Sequence, residues 1–316
     1  MIAFGCSVIS PDDFNLYAKP GLEHAREPDS QLLIHAAANS VARGLNLQLD
    51  QAARLEGLEA LVVVHQDAEI VDPEICAKVR RALADPAVAV VGCVGATGSR
   101  NIAWWEGTVT WTSAAYAYGE LGGGRLLWPR ERSHTLRGPG EVDIVYGVLL
   151  VFSPWVVHNL RFDESLGLLH GYEFDICTQV RRSGRKVVAA DIKVDHHHSL
   201  DLTSPAETEM WVEAHMRAAE LWDTEGPAPG EDEQAYWRAR ARRAEADAAA
   251  ARLLAASKLL QADATAHYHR DLLGEKVYSR SWQVTEPLRR ASALARTLRS
   301  RAPRQHRLTA AASELA

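Results

Sequence analysis

From Met1 to about Asp223 the chain alternates short, β-branched apolar runs with longer stretches in which apolar residues recur every three or four positions. The short runs predict strands over Ile2–Ile9, Leu61–His65, Val88–Val94, Thr108–Tyr118, Val142–Phe152 and Lys186–Val194. The longer stretches predict helices over Leu32–Leu55, with Gly57 just beyond it, and over Pro73–Ala84, opened by its proline. Two more are predicted over Phe174–Ser183, closed by Gly184, and over Ala206–Trp222. This alternation predicts an α/β domain with a largely parallel sheet and helices on both faces. In such sheets ligands sit beyond the carboxyl ends of the strands.

The pattern changes at Gly226-Pro227-Ala228-Pro229-Gly230, a cluster of chain breakers. A first domain over 1–225, a linker over 226–230 and a helical extension are therefore expected. Residues 231–270 contain no Gly or Pro but 14 alanines, which predicts a long helix over 231–275. Leu253, Leu254, Leu259 and Leu260 give a partial seven-residue spacing, which suits self-association into a homo-oligomer and packing onto the preceding domain equally. Over 276–316 a basic amphipathic tail is expected. From Lys276 to Arg307 the single acid is Glu286, and Leu288, Ala291, Leu294, Ala295 and Leu298 recur at three- and four-residue steps between arginines. That pattern suits a helix lying on an anionic membrane surface, and equally a solvated basic helix.

Composition narrows the class. Across 316 residues, 35 Lys plus Arg face 41 Asp plus Glu, so a net charge of −6 leaves no overall basic field to hold nucleic acid. The longest apolar run, Val145 to Val157, is interrupted by Gly147, Ser153 and Pro154, too short for a membrane span. Met1-Ile2-Ala3-Phe4-Gly5 lacks the succession of a signal peptide, so a cytoplasmic location is expected. Cys6, Cys76, Cys93 and Cys177 form no CxxC pair and read as buried thiols.

Three segments carry candidate chemistry. Leu61-Val62-Val63-Val64 ends abruptly in His65-Gln66-Asp67, and His65 and Asp67, two apart in extended chain, project to one side where one cation could touch both. A buried strand that merely ends at a polar turn reads the same way. In His170-Gly171-Tyr172-Glu173-Phe174-Asp175, two carboxylates fall at a helix start; capping explains one of them well and two less well. Asp195-His196-His197-His198 follows a strand, and extended geometry lets at most one or two of these histidines reach a common ion.

In this order the segments resemble glycosyltransferase family 2, of the GT-A fold, over roughly residues 1–224. The likeness rests on the acidic turn after Val64, the Gly147-containing apolar strand, Phe162-Asp163-Glu164, the Gly171-x-Glu173-x-Asp175 helix start, Gly184 and the strand leading to His196. It is nearest to bacterial members that read His-Gln-Asp at the metal turn. The resemblance implies a GT-A catalytic domain followed by the helical extension, and transfer from a nucleoside diphosphate sugar with inversion at the anomeric carbon. It places Asp67, with His65 and His196 or His197, around a divalent metal, Mn²⁺ or Mg²⁺. Gln66, Gly5, Ser7 and Asn46 would lie on the donor side, Glu173 would be the base, and Asp175 would be its fallback. Trp104, Trp105, Tyr172 and His170 would lie near a glycan or lipid-linked acceptor. A role in cell-envelope polysaccharide or glycolipid assembly, peripheral on the inner face of the plasma membrane, is implied in the same way.

Two departures stand out: Tyr146 precedes Gly147 where relatives often have Asp, and His65 replaces an acidic residue. The nitrogen donor favours Mn²⁺ over Mg²⁺. Asp12, Asp13, Glu27 and Asp29, after the first strand, match no nucleotide-reading pattern. Two rival readings survive: a metal-dependent hydrolase built on His65, Asp67, His196 and His197, with Glu173 activating water, and a catalytically silent binding module.

Overall fold

A computed structural model of the chain describes residues 1–36, 40–118, 122–125, 138–167, 169–197, 204–222 and 232–292. The chain forms two units, Met1–Leu260 and Gln261–Ala316. The first is a mixed α/β domain. Among the described residues its central sheet has seven strands: β1 (Ile2–Val8), β2 (Leu32–Ala36), β3 (Ala60–Val64), β5 (Val88–Gly92), β10 (Gly140–Val142), β12 (Leu149–Phe152) and β13 (Lys186–Ala189), in the order β10-β13-β5-β12-β3-β1-β2. Five of them, β2, β1, β3, β5 and β13, point one way, while β12 and β10 oppose them. This is the mostly parallel, helix-flanked sheet that the alternation predicts. Every residue of β3, β5 and β12 is buried, as strands covered on both faces require.

Four of the predicted strands are interrupted, three of them at one place. Val88–Val94 breaks at Cys93 into β5 and β6 (Val94–Thr97), and Thr108–Tyr118 breaks at Ser113 into β7 (Thr108–Thr112) and β8 (Ala114–Tyr118). Lys186–Val194 likewise divides into β13 and β14 (Val194–His196). The Ser113 hydroxyl lies 3.1 Å from the Cys93 carbonyl, 3.2 Å from that of Ala190 and 2.7 Å from that of Ile192, so one side chain ties all three breaks together. Val142–Phe152 resolves into β10, β11 (Ile144–Val145) and β12. Past the breaks the chain builds two smaller sheets, β11-β6-β7 and β4-β14-β8-β9, where β4 is Ala68–Ile70 and β9 is Gly122–Arg125.

The expected helix Leu32–Leu55 is a correction. Its first part is strand β2, paired in parallel with β1, and the helix α3 covers only Val41–Ala52. Ser40 caps it, its hydroxyl accepting from the Arg43 N–H at 3.2 Å. Backbone pairing at the edge of β1 overrides the helical spacing of Leu32 and Leu33. A helical run after β1 was not anticipated: α1 (Pro11–Asp13), a π turn (Phe14–Ala18) and α2 (Lys19–Ala25). Pro20 has no N–H to donate into a regular helix, and in the turn before it Lys19 N–H donates to Phe14 O, one residue farther back than an α-helical bond. Gly21 brings α2 against β4, where a Cβ would sit 2.5 Å from the Ile70 nitrogen.

The remaining helices are α4 (Ile75–Ala82), α5 (Pro154–Asn159), α6 (Tyr172–Arg182), α7 (Pro205–Trp222), α8 (Asp232–Tyr278) and α9 (Arg280–Val284). Within the first unit, Ala246, Ala249, Ala250 and Leu253 of α8 are buried in one helical stripe. Glu245 accepts from the Asn101 amide at 3.0 Å, and Arg252 donates to Glu106 at 2.6 Å. Leu253 therefore packs on the domain, whereas Leu259 is exposed. The linker 226–230 and residues 293–316 of the tail lie outside the described residues.

Candidate functional site

The site begins where β3 runs out. His65 N–H donates to Val148 O at 3.1 Å, which keeps the chain beside the start of β12. The Gln66 side-chain oxygen then accepts from Ile9 N–H at 2.6 Å and Ser10 N–H at 2.8 Å, pinning the turn to the end of β1. Beyond Asp67 the chain re-enters a sheet as β4, antiparallel to β14, with His196 opposite Ala68. His197 N–H donates to Asp67 O at 2.9 Å. This register brings a histidine 129 positions away against the turn: His196 Nε2 is 3.3 Å from Asp67 Oδ2, and His65 Nδ1 is 3.8 Å from Asp67 Oδ1.

His65, Asp67 and His196 each offer one donor atom, and the three atoms lie within 4.8 Å of one another. Two imidazole nitrogens and one carboxylate oxygen fit a borderline first-row divalent cation better than oxygen-seeking Mg²⁺. His197 does not join them. Successive strand residues point to opposite faces, and its ring instead stacks on Tyr17 of the π turn, with centroids 3.9 Å apart and planes 14° apart. Its Nε2 lies 3.8 Å from Glu69.

The electrostatics follow from packing. Burial raises the Asp67 carboxyl, but the His196 hydrogen bond and the neighbouring imidazoles outweigh it and hold the group at about 2. Desolvation pushes His65 down to about 4 against the pull of Asp67, so the ring is neutral near pH 7 and has a lone pair to give.

Helix α6 closes the site from the other side. Gly171, at φ 87°, takes the left-handed turn that starts it. The Tyr172 hydroxyl meets His65 Nε2 at 2.5 Å. Burial, then the charges of Glu173 and Asp67, drive the Tyr172 pKa well up, so it remains a hydroxyl. Glu173, 8 % exposed, is pushed up to about 7 by desolvation, and among the described residues its Oε2 accepts no hydrogen bond. Asp175 is engaged differently, its Oδ2 accepting from Asp163 N–H at 2.9 Å and the Gln179 amide at 3.0 Å. It ties α6 to the preceding loop. Desolvation, and then the neighbouring His65, push His170 down to about 4.

Several other candidates are occupied by structural contacts. The Asn46 amide donates to Phe162 O and Glu164, both at 3.0 Å, and its oxygen accepts from Phe162 N–H at 2.9 Å. Gly5 lies under Gln48, whose Oε1 would be 2.7 Å from a Cβ, and the Ser7 hydroxyl accepts from the Gln48 amide at 3.2 Å. Trp104 is fully buried, with its ring 5.1 Å from Tyr146, so it offers no open face to a sugar. Trp105 is half-buried against Trp211 at 5.8 Å. Tyr146, noted in the sequence only as a departure from the family pattern, lies 6.4 Å from His65 and 5.9 Å from His196, ring to ring.

Asn46→Ala removes three hydrogen bonds that join α3 to the 162–164 loop. We expect a loss of about 1–3 kcal/mol in urea unfolding, with nucleotide affinity unchanged; a selective loss of nucleotide binding would instead place the amide on the donor.

No family model matches the chain. Among curated proteins it is similar to the streptomycin biosynthesis protein StrF of Streptomyces griseus, 28% identical over 209 residues that make up 63% of this chain and 67% of that protein. Two solved structures are similar in outline. The mannosyltransferase PcManGT from Pyrobaculum calidifontis, in complex with GDP-Man and Mn²⁺, aligns over 95% of this chain and 88% of its own, at 14% identity and a TM-score of 0.45. GalNAc-T7 with UDP, GalNAc and Mn²⁺ aligns over 77% of this chain at 11% identity and a TM-score of 0.46, and the match spans 54% of that protein.

Proposed function

We propose that the chain is a glycosyltransferase that moves a sugar from a nucleoside diphosphate donor to a hydroxyl of a glycan or lipid-linked acceptor, with inversion. The observation that carries this reading is the convergence of His65, Asp67 and His196 within 4.8 Å at the carboxyl end of β3, beside a helix start whose carboxylate is held near 7. These are the positions at which the family-2 resemblance implies a metal turn and a base. His65, Asp67 and His196 would hold the cation. A divalent ion there supplies positive charge for a departing diphosphate.

Glu173 would take the proton from the acceptor hydroxyl. A pKa near 7 suits a general base at neutral pH, because the group is ionised yet still basic enough to accept a proton.

A thermal-shift panel of UDP- and GDP-sugars with and without Mn²⁺ tests this reading. A true donor present at a hundred times its Kd stabilises the fold by about 2.7 kcal/mol, and the shift should require Mn²⁺. Stabilisation by Mn²⁺ alone, with no response to any nucleoside diphosphate sugar, overturns the transferase in favour of a hydrolase on the same residues.

The tail belongs to this proposal as a membrane contact at the cytoplasmic face, where surface polysaccharide or glycolipid would be assembled. Among the described residues no helix is long and apolar enough to cross a membrane. In the second unit Leu273, Tyr278, Val284 and Leu288 are exposed, and the Arg289 guanidinium lies 3.7 Å over the Trp282 ring. This mix of exposed apolar and basic groups supports interfacial binding. Removing residues 277–316 should release the protein from anionic vesicles at low salt and leave transfer to a soluble acceptor analogue nearly unchanged. Equal co-sedimentation of the full and shortened chains counts against the membrane contact.

A further inference from the structure

The His65 ring is engaged at both nitrogens. Nδ1 faces Asp67 at 3.8 Å, and Nε2 meets the Tyr172 hydroxyl at 2.5 Å. A ring nitrogen that accepts a cation carries no proton, so if Nδ1 turns to the ion, the ring's one proton sits on Nε2 and needs an acceptor. The Tyr172 oxygen is placed to be that acceptor. Without it the Nε2–H would lose its partner, and the half-buried ring would lose the contact that sets its plane.

The approach of Tyr172 to His65 is itself built. Its buried ring packs 6.2 Å from Phe162, which packs 5.9 Å from Phe152 at the end of β12. At the other end of that strand the hydroxyl passes over Gly147. A Cβ on Gly147 would lie 2.7 Å from Tyr172 Cζ and 2.8 Å from Cε2, and nearer still to the hydroxyl. Any side chain at 147 therefore displaces the tyrosine from its line to His65. Tyr172 is nearly closed to solvent, so an acceptor sugar could not stack on it without opening the helix start.

We infer that Tyr172 is a positioning residue whose hydroxyl orients His65 for cation binding, and that Gly147 is the gap through which it reaches the ring. The inference rests on the metal-site reading above and adds a residue pair to it. Outer-shell partners of metal-bound histidines fix tautomer and ring plane, and losing one costs about 10–100-fold in metal affinity.

The test uses the full chain and Mn²⁺ alone, with free ion measured by electron paramagnetic resonance. Tyr172→Phe, which keeps the packed ring, should weaken Mn²⁺ binding by about 10–100-fold, with His65→Ala losing at least as much and Gly147→Ala following Tyr172→Phe. A second measurement needs no variant: ¹⁵N spectra of the wild-type chain loaded with diamagnetic Zn²⁺ should show His65 protonated at Nε2. A His65 ring protonated at Nδ1 overturns the inference. Mn²⁺ binding that His65→Ala weakens but Tyr172→Phe leaves unchanged overturns it alone, whereas a wild-type chain that binds no Mn²⁺ overturns the metal site as well.

Discussion

Asp67→Asn is expected to abolish Mn²⁺-dependent nucleotide binding while the metal-free chain keeps its fold. The carboxylate stands between two imidazoles, 3.3 Å from His196 and 3.8 Å from His65, and its pKa of about 2 keeps it ionised throughout the physiological range. An amide of the same shape retains one oxygen but brings no charge, so the anionic donor of the trio is lost. Because even outer-shell changes cost about 10–100-fold, loss of the proposed direct ligand should exceed that range in a calorimetric titration with Mn²⁺ and a nucleoside diphosphate. Asp67 is half-buried at a turn that is held by the Gln66 side chain and the His197 N–H, neither of which the substitution touches, so the metal-free fold should persist and lose only the stabilisation that the lowered Asp67 pKa represents. Unchanged Mn²⁺-dependent affinity would remove the residue from the site.

Glu173→Gln is expected to lower turnover by about 10²–10⁴-fold, the usual contribution of a general base, while donor binding persists. It should also stabilise the chain, and the pH dependence gives that effect its sign. The folded carboxyl sits at about 7 against an ordinary 4.5, because burial disfavours its charge. Below pH 4.5 the group is protonated in both states and the substitution gains nothing. Between 4.5 and 7 the unfolded chain releases the proton while the folded chain retains it, so wild-type stability falls as pH rises. Above 7 the full cost remains, roughly 3 kcal/mol from the 1.36 kcal/mol that each pH unit represents. The unfolding temperature of Glu173→Gln should therefore exceed wild type by several degrees at pH 8 and match it at pH 4. Wild-type turnover should fall as pH drops through about 7. If Asp175→Asn alone abolishes turnover, the base lies two residues on.

The alternation of apolar runs sufficed for the class of fold, because a strand buried on both faces has to be apolar throughout, and Leu61–Val64, Val88–Val91 and Leu149–Phe152 are. The same signal could not show where a run leaves one sheet for another. Thr108–Tyr118 reads as a single strand, and only the Ser113 hydroxyl, bonding to carbonyls from residues 93, 190 and 192, explains the break. Nor could helical spacing in Leu32–Leu55 reveal the open edge of β1 with which its first residues pair.

In the site the division is similar. His65 and Asp67 are two residues apart, and strand geometry alone puts them on one side. Choosing among the histidines from 196 onward required the antiparallel register of β14 against β4, which turns His196 toward Asp67 and sends His197 to Tyr17. The family resemblance likewise ranked Glu173 before Asp175 without showing their surroundings: both are buried, but Asp175 Oδ2 accepts from the Asp163 N–H and the Gln179 amide, whereas Glu173 Oε2 accepts no hydrogen bond among the described residues. The reach of Tyr172 over Gly147 to His65 joins residues 107 positions apart in the chain. Sequence pattern determined the class of fold and the candidate ligands because periodicity and residue chemistry are local. Which candidates meet was decided by strand register and close packing, which depend on distant partners.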